Sequence, residues 1–405
     1  MITFGAVGFN REIEGKTTGA HQGDIMLEPA SQTALRDEIT RQIREDQSLL
    51  AELRAEVRPL VSQTRRISPR SATSISLVAA DGGNNQLRFD PFLVQLVRVV
   101  DSSNNEYCLE AVSPTMSVSA LSARQFADPE RPTALGRLMR YLGVEELSAL
   151  SHMIRADGSG RPNSPSWVQV YRELVEWAIL FAIVREKDFA TDTLIVFDGF
   201  LRSKVFAKDL FQRYRAGIQE GIDRHFRANK RRIYLVGVAK HSKVLSRYRL
   251  AMALEGVMQS PFPCYVEIPR ELEEKAYVWS EYARGDDRVA EGGEVNKFVA
   301  GKMFFVKFGK GPRDPVWPID IFLSQSNDHA TIFGYLLNDA IEGFPVPLYP
   351  RSLQKAHENA ALVDFDMDIL QDMIFSGLRT TLGKEAPALD VFRLQDADPA
   401  SRRYE

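Results

Sequence analysis

The sequence predicts an α/β fold in which helices flank a mixed β-sheet. The first observation is a meander of three consecutive β-rich runs, which occupy residues 75–80, 93–100 and 106–112. The second is the regular alternation of helical and β-rich patterns that follows, at residues 166–187, 194–197, 204–228 and 232–239. A meander followed by helix, strand, helix and strand gives a mixed sheet covered by helices.

This order of elements fits the ribonuclease-H-like fold, with additions at the N-terminus and in the middle. Apolar residues at steps of three and four across residues 31–62 predict a helical arm, which either serves dimerisation or packs on its own domain. Residues 115–165 predict a helical, polar insertion. We therefore predict an N-terminal segment with the arm at 1–70, a main domain at 71–385 and a flexible tail at 386–405.

Composition narrows the class of protein. The chain has 405 residues, 44% of them hydrophobic, and a net charge of -3, so overall charge gives no support to nucleic-acid binding. Its two cysteines, Cys108 and Cys264, lack metal-binding spacing and are expected to be free thiols in the reducing cytoplasm. No apolar run reaches the length of a membrane span, and the N-terminus lacks the pattern of a signal peptide.

Two aspartates follow β-rich runs, and each is followed by glycine. They are Asp81, after residues 75–80, and Asp198, after residues 194–197. An Asp-Gly pair in this position is often only a turn. Carboxylates at the ends of neighbouring strands can, however, share a divalent cation, because such cations prefer oxygen ligands. We therefore expect both strands to stop at these aspartates and their side chains to form a site.

The helix before Asp198 supplies further acids, Glu173 and Glu176. Alternatively, both glutamates are ordinary helix residues in contact with solvent and have no functional role. Two aspartates and a helix glutamate can nevertheless hold two metal ions about 3.5–4 Å apart, the arrangement that clamps both oxygens in phosphodiester cleavage. Later in the chain, Tyr349 and His357 stand eight residues apart, and a neutral histidine is a suitable ligand for Mn²⁺. Alternatively, Tyr349 only fills space in a Pro-rich loop, and His357 is an ordinary exposed residue of a helix.

A basic stretch lies in the middle of the chain. Because a nuclease needs a cationic path for phosphates, this stretch is the predicted DNA contact, with solvated helix faces as the alternative for about half its members. Its residues are Arg202, Lys204, Lys208, Arg213, Arg215, Arg224, Arg227, Lys230, Arg231, Arg232, Lys240, Lys243, Arg247 and Arg249.

The order of these motifs resembles the NurA nuclease family over roughly residues 70–380. The motifs are a strand with Asp-Gly-Gly, a Glu-bearing helix, a strand ending Asp-Gly-Phe-Leu, a Val-Gly-Val-Ala-Lys strand and a late Pro-Leu-Tyr…Ala-His segment. The resemblance implies a ribonuclease-H-like fold and Mn²⁺-dependent nuclease activity on DNA. It also implies a ring-like homodimer that docks on the hexameric HerA ATPase. The insertion at 115–165 and the long segment 255–325 depart from smaller members.

The resemblance also implies roles for individual residues. Asp81 and Asp198 match the metal-binding aspartates, and Glu176 best matches the helix glutamate, with Glu173 as its close rival. Tyr349 and His357 match the late tyrosine and histidine of the family. The histidine is expected to be a further metal ligand, and the tyrosine to orient DNA or a metal-bound water. Lys240, after the strand at 232–239, is expected to contact a phosphate of the substrate.

The sequence therefore predicts a cytoplasmic, Mn²⁺- or Mg²⁺-dependent deoxyribonuclease that works with a HerA-like ATPase in DNA end processing or antiviral defence. The alternative is a non-catalytic adaptor subunit of such an ATPase. A ribonuclease is disfavoured because no aromatic RNA-binding motif is present in the sequence. The chain also has no P-loop motif, so any ATP would be hydrolysed by the partner.

Overall fold

The computed structural model describes residues 29–70, 76–89, 92–164, 166–277, 297–361 and 364–383. At residues 29–30, 76–89, 92–94, 364–365, 367–368 and 371 it describes the backbone alone. The Gly-rich start of the chain and the predicted tail at 386–405 lie outside the described residues, and so does the side chain of Asp81.

Within these ranges nine strands form one mixed sheet. In chain order they are β1 (Arg65–Arg66), β2 (Ser76–Phe89), β3 (Phe92–Asp101), β4 (Glu106–Val112), β5 (Thr193–Asp198), β6 (Ile233–Val238), β7 (Cys264–Glu267), β8 (Gly301–Lys307) and β9 (Val316–Phe322). Their order across the sheet is β1-β7-β8-β9-β6-β5-β2-β3-β4.

The middle of the sheet has the topology that the sequence predicts. Strands β2, β3 and β4 form an antiparallel meander, and β5 and β6 join it in parallel next to β2. Strands β9, β8, β7 and β1 then extend the sheet with antiparallel pairs. The predicted fold class, a ribonuclease-H-like mixed sheet flanked by helices, is confirmed.

Thirteen α-helices are present in the described part of the chain. They are α1 (Pro29–Glu45), α2 (Gln47–Val57), α3 (Leu60–Gln63), α4 (Val118–Arg124), α5 (Ala134–Leu142), α6 (Leu147–Leu150), α7 (Trp167–Glu186), α8 (Leu210–Asn229), α9 (Lys243–Glu255), α10 (Arg270–Ala276), α11 (His329–Ile341), α12 (Arg351–Ala360) and α13 (Asp364–Leu382). The chain divides into two compact units at the Glu52–Leu53 bond, and the sheet belongs to the second.

Strand β5 shows how the two faces of the sheet are covered. Its side chains alternate with the period of two that strands impose. Ile195 and Phe197 face a core built from helices α4, α5, α6, α7 and α8. Leu194 and Val196 face a second core built from α11 and α12. A third core joins α2, α3, α9 and α10 to β7 and β8. Because both faces are covered, β5 is apolar from Leu194 to Phe197 and ends in its one acidic residue.

The insertion at 115–165 differs from its prediction. It is helical, but it is not polar on the inside, because α4, α5 and α6 bury a set of apolar side chains in the same core as α7. These residues are Leu121, Leu135, Leu138, Met139, Leu142, Leu147 and Leu150. The charged residues that suggested a polar segment lie on the opposite, solvent-facing sides of short helices. The insertion is therefore part of the main core.

Two further observations concern the class of protein. Cys108 and Cys264 are both free thiols, as the sequence predicts. Across the described residues, none of the helices has the combination of length and apolar composition that crossing a bilayer requires.

Candidate functional site

Asp198 ends strand β5 at the carboxyl edge of the sheet. The strand runs through five buried residues, and only Asp198 is partly exposed. Gly199 then has a φ of 128°, a backbone conformation that glycine adopts without strain, and its N–H donates a 2.9 Å hydrogen bond to the carbonyl of Val238. The predicted strand end at Asp198 is thus observed, and the glycine turns the chain across the end of β6.

Asp81 differs from its prediction, because its strand does not stop there. Strand β2 continues through Asp81, Gly82 and Gly83 to Phe89, since β3 supplies an antiparallel partner along the whole length. The register nevertheless places Asp81 beside the end of β5. Ala80 pairs with Phe197 in parallel, so the next residue on each strand is an aspartate. The backbones of Asp81 and Asp198 therefore occupy adjacent positions on neighbouring strands.

The acidic residues of α7 share a cleft with Asp198. This cleft has a volume of about 440 Å³ and lies between the first half of α7 and the loop that follows β5. Glu173, Glu176 and Asp198 all line it, together with Arg172 and Lys204. The structure thus brings three of the predicted acids to one opening, and the helix supplies both of its candidates.

The two helix glutamates have different surroundings. Glu173 accepts a 2.7 Å hydrogen bond from the hydroxyl of Ser203 and a 3.3 Å hydrogen bond from the indole of Trp177, both at Oε1. Glu176 forms an ion pair with Arg172 one helical turn earlier, at 3.3 Å, and its side chain is 16% exposed. Glu173 is therefore tied to the loop after β5, whereas Glu176 is paired with a cation at the surface of the cleft.

Lys240 follows β6 and reaches Asp198. Its Nζ donates a 2.7 Å hydrogen bond to Oδ2 of Asp198, and the lysine side chain is 43% exposed. Strands β5 and β6 are parallel and in register up to Asp198 and Val238, so residues that follow them meet at the same edge of the sheet. A cationic group thus stands directly beside the carboxylate.

Tyr349 and His357 do not line this cleft. Tyr349 is only 3% exposed and packs on Trp317 with ring centroids 4.6 Å apart, within the core under α11 and α12. His357 lies on the exposed side of α12. Helix α12 packs on β2, β3 and β5, which is the opposite face of the sheet from α7. The helix that carries His357 therefore contacts β2, the strand of Asp81, from the other face of the sheet.

The basic stretch does not form a single cationic path. Arg202 is buried, with its guanidinium bound by Asp320 and Glu273. Helix α8 has 20 residues and spans about 30 Å, so its last turn lies near the start of β6, at the edge of the sheet opposite Asp198. There Arg227 pairs with Asp223, and the backbone N–H of Arg232 is bound by Asp192. The basic residues that line the cleft are Arg172, Lys204 and the buried Arg202. Lys240 stands beside it, paired with Asp198.

The cleft offers oxygen ligands for a divalent cation. Among the described side chains, which do not include that of Asp81, no three His, Cys, Asp or Glu residues are grouped as ligands of one ion. Glu173, Glu176 and Asp198 offer carboxylate oxygens, and these suit Mn²⁺ and Mg²⁺. The chemistry of the residues present therefore fits such an ion.

Several residues around the cleft belong to no motif by which their role could be predicted from the sequence. Ser203 holds Glu173, and the buried carboxylates of Glu273 and Asp320 hold Arg202. Asp320 is 118 residues from Arg202 in the chain, and no spacing rule connects them. A pairing of this kind becomes visible only when β9 is placed next to β6.

The fold and cleft define an α/β protein of the ribonuclease-H-like class with carboxylates at the carboxyl edge of its parallel strands. No family model and no curated protein matches the chain. The chain is similar to solved structures of NurA. One is the NurA nuclease from Sulfolobus solfataricus, with 13% identity, a TM-score of 0.46 and coverage of 88% of this chain and 98% of that one.

Two further similar structures contain ligands. A NurA structure bound to dAMP and manganese has 11% identity, a TM-score of 0.34 and coverage of 81% of this chain and 94% of that one. A NurA structure with manganese has 13% identity, a TM-score of 0.34 and coverage of 84% and 98%. At these levels of similarity, the function has to be argued from the residues of the cleft.

Proposed function

We propose that the protein is a metal-dependent deoxyribonuclease that hydrolyses phosphodiester bonds. One observation carries the proposal. The register Ala80–Phe197 sets Asp81 beside Asp198, and Asp198 shares its cleft with Glu173 and Glu176. A group of carboxylates at one strand edge is costly unless cations neutralise it, and divalent cations with oxygen ligands do this best.

Asp81, Glu176 and Asp198 are the residues that would hold Mn²⁺ or Mg²⁺. His357 is a further candidate ligand, which would approach Asp81 from the other face of the sheet because α12 packs on β2. A bound divalent cation supplies Lewis-acid stabilisation of the charge on the phosphate. Glu173 keeps the loop after β5 in place through Ser203. The burial of Tyr349 against Trp317 favours a role in seating the start of α12 over direct contact with DNA.

Lys240 and Lys204 position the substrate. Both are exposed cations beside the carboxylates, and phosphate groups are attracted to such groups in a salt-dependent way. Lys240 is already close enough to Asp198 to reach a phosphate held there. Of the basic stretch, we assign the substrate contact to these members beside the cleft.

The finer parts of the function extend this proposal. We place the nuclease domain at 71–385, preceded by the segment and arm at 1–70 and followed by the tail at 386–405. The protein acts as a cytoplasmic homodimer with a HerA-like hexameric ATPase, in DNA end processing or antiviral defence. The resemblance of the motif order to the NurA family supports these assignments.

The test is cleavage of labelled single- and double-stranded DNA with Mn²⁺ or Mg²⁺, comparing the wild-type protein with Asp198→Asn. We expect the variant to lose cleavage while keeping the wild-type circular dichroism spectrum and melting temperature. The matched control is Asp128→Asn, which changes an exposed loop aspartate outside the cleft. Full cleavage by Asp198→Asn would falsify the proposal. Failure of the wild-type protein to cleave with any divalent metal would favour the adaptor alternative.

A further inference from the structure

A network of four charged residues, three of them buried, begins at the wall of the cleft with Arg202. Arg202 binds Asp320 through two parallel hydrogen bonds, from Nε at 2.8 Å and from Nη2 at 2.6 Å, and binds Glu273 through Nη1 at 2.5 Å. Arg270 completes the network with a 3.0 Å ion pair to Glu273. We call these four residues the Arg202 network. It joins the loop after β5 to β9 and α10.

Three members of the network are buried, the fourth, Arg270, is partly exposed, and the charges are balanced. The side chain of Arg202 is 2% exposed, and those of Glu273 and Asp320 are fully buried. Burial alone would lower the pKa of Arg202, but the carboxylates of Asp320 and Glu273 more than offset it and raise that pKa, so the guanidinium stays charged. Two arginines balance two acids. Buried ion pairs of this kind rarely stabilise a fold more than apolar residues of similar size. Stability alone therefore does not account for the network.

The network fixes the loop between Asp198 and Glu173 at several points. Oδ2 of Asp320 also accepts a 3.1 Å hydrogen bond from the backbone N–H of Leu201. The carbonyl of Leu201 accepts from Ala300, and the N–H of Ser203 donates to Phe298. The hydroxyl of Ser203 then donates to Glu173. The loop is thus held between one cleft carboxylate at its start and another at its end.

Strand β8 also packs closely against Asp320. A Cβ added to Gly301, its neighbour on β8, would lie 2.5 Å from Cβ of Asp320. That is closer than two carbon atoms can approach without a shift of one of them. Glycine at position 301 therefore lets β8 approach Asp320 closely. The carboxylate itself is held by Arg202 and by the N–H of Leu201.

We propose that Arg202 is a positioning residue, which, held by Asp320 and Glu273, sets the distance between Asp198 and the glutamates of α7. This inference rests on the proposed nuclease function, because the geometry matters only if those carboxylates act together. Lysine cannot replace the arginine, since its single ammonium lacks the planar fork that binds two carboxylates at once.

The experiment separates positioning from stability. The first variant, Arg202→Met/Glu273→Met/Asp320→Asn, replaces the three buried charges by groups of similar volume and keeps an oxygen for the N–H of Leu201. Arg270 stays, because its side chain is partly exposed to water. The second, Arg202→Lys, keeps the charge and removes the fork. Arg137→Met, which removes an exposed arginine paired with Glu186, is the matched control. For each we measure the melting temperature, kcat and KM for DNA cleavage, Mn²⁺ affinity, and hydrogen exchange of a peptide covering residues 199–205.

We expect both network variants to fold, to lower kcat by about 100-fold with KM nearly unchanged, and to exchange the loop amides at least about tenfold faster, because a misplacement of about 1 Å has effects of this size. A folded network variant with the wild-type kcat overturns the inference, even if its loop exchanges faster. Should the wild-type protein cleave no DNA, the nuclease proposal fails, and Mn²⁺ affinity then decides. Weakened Mn²⁺ binding in the variants supports positioning, and unchanged binding overturns it.

Discussion

Lys240 and Asp198 form an ion pair across the ends of two parallel strands, with Nζ of the lysine 2.7 Å from Oδ2 of the aspartate. The pair exists because β5 and β6 are in register, so the residues that follow them meet at one edge. Asp198 is the cleft carboxylate with the most direct cationic neighbour. A phosphate arriving at this edge would meet the ammonium and the carboxylate together.

Lys240→Gln is expected to weaken DNA binding by an electrostatic effect. Because the lysine would neutralise about one phosphate, the slope of log K against log salt should fall by about 0.9 in magnitude on duplex DNA. Fluorescence anisotropy with labelled DNA over a series of salt concentrations measures this slope. The control, Lys310→Gln, removes an exposed lysine outside the cleft and should leave the slope unchanged. Equal slopes for Lys240→Gln and the wild-type protein would contradict the assignment.

Glu176→Gln is expected to reduce cleavage more than Glu173→Gln does. Glu173 already accepts hydrogen bonds from Ser203 and Trp177, so its role is to support the site, and losing such support typically costs about 10–100-fold in activity or metal affinity. Glu176 is the proposed metal ligand, and its loss should exceed that range. Parallel measurements of kcat and of Mn²⁺ binding by calorimetry test the order. A larger loss in Glu173→Gln would reverse the two roles.

Gly237→Ala is expected to destabilise the protein by about 1–3 kcal/mol, the usual cost of adding a methyl group to a closely packed site. Gly237 lies in β6, and a Cβ there would meet the carbonyl oxygen of Gly199, directly after Asp198. Urea denaturation followed by fluorescence gives the free energy of unfolding. Gly158→Ala is the control, because a Cβ at that position has open space around it. A Gly237→Ala midpoint equal to that of the wild-type protein would show that the loop after β5 can shift freely.

Glu255→Gln is expected to lower stability at neutral pH but not in strong acid. Hydrogen bonds from Arg58 and then Arg54 hold the pKa of Glu255 at about 2, below its ordinary 4.5. A lowered pKa means that the charged form stabilises the folded state, so the contribution is complete above pH 4.5 and disappears as the pH falls towards 2.

Urea midpoints of the wild-type protein and Glu255→Gln, measured from pH 7 down to pH 2, should therefore differ by a constant amount at first. The difference should then narrow between about pH 4.5 and pH 2. Glu145→Gln, a change of an exposed glutamate elsewhere in the chain, provides the comparison. A difference that persists unchanged in acid would mean that the ion pair is not its cause.

The central part of the fold could be predicted from the sequence because its signals are local. Helix α7 and strands β5 and β6 have strong apolar patterns, and each was placed within a residue or two of its observed bounds. The end of β5 was predictable because Gly199 permits a turn that other residues resist. In β2 the same Asp-Gly pair failed as a signal, since an available partner strand keeps the chain extended.

Contacts between residues far apart in the chain could not be predicted from the sequence. Arg202 was counted among the residues of a cationic surface, whereas two distant acids bury it. The charges of α8 form one stretch along the chain, yet its last turn lies at the far edge of the sheet. Of the proposed site, Asp198 and the glutamates of α7 line one cleft, and their role as metal ligands stays a prediction. Tyr349 and His357 lie on the other face of the sheet, which no spacing in the sequence indicates.

Strand β2 has 14 residues, whereas its parallel neighbour β5 has six and ends at Asp198. The part of β2 from Gly82 to Phe89 extends past that end with β3 as its partner, over about 26 Å at about 3.3 Å per residue. This projection is about three quarters of one helical turn of duplex DNA, about 34–36 Å. In the proposed nuclease, a long polymer would lie along this ledge while a single linkage reaches the acidic opening. Shortening the ledge should penalise long substrates more than short ones.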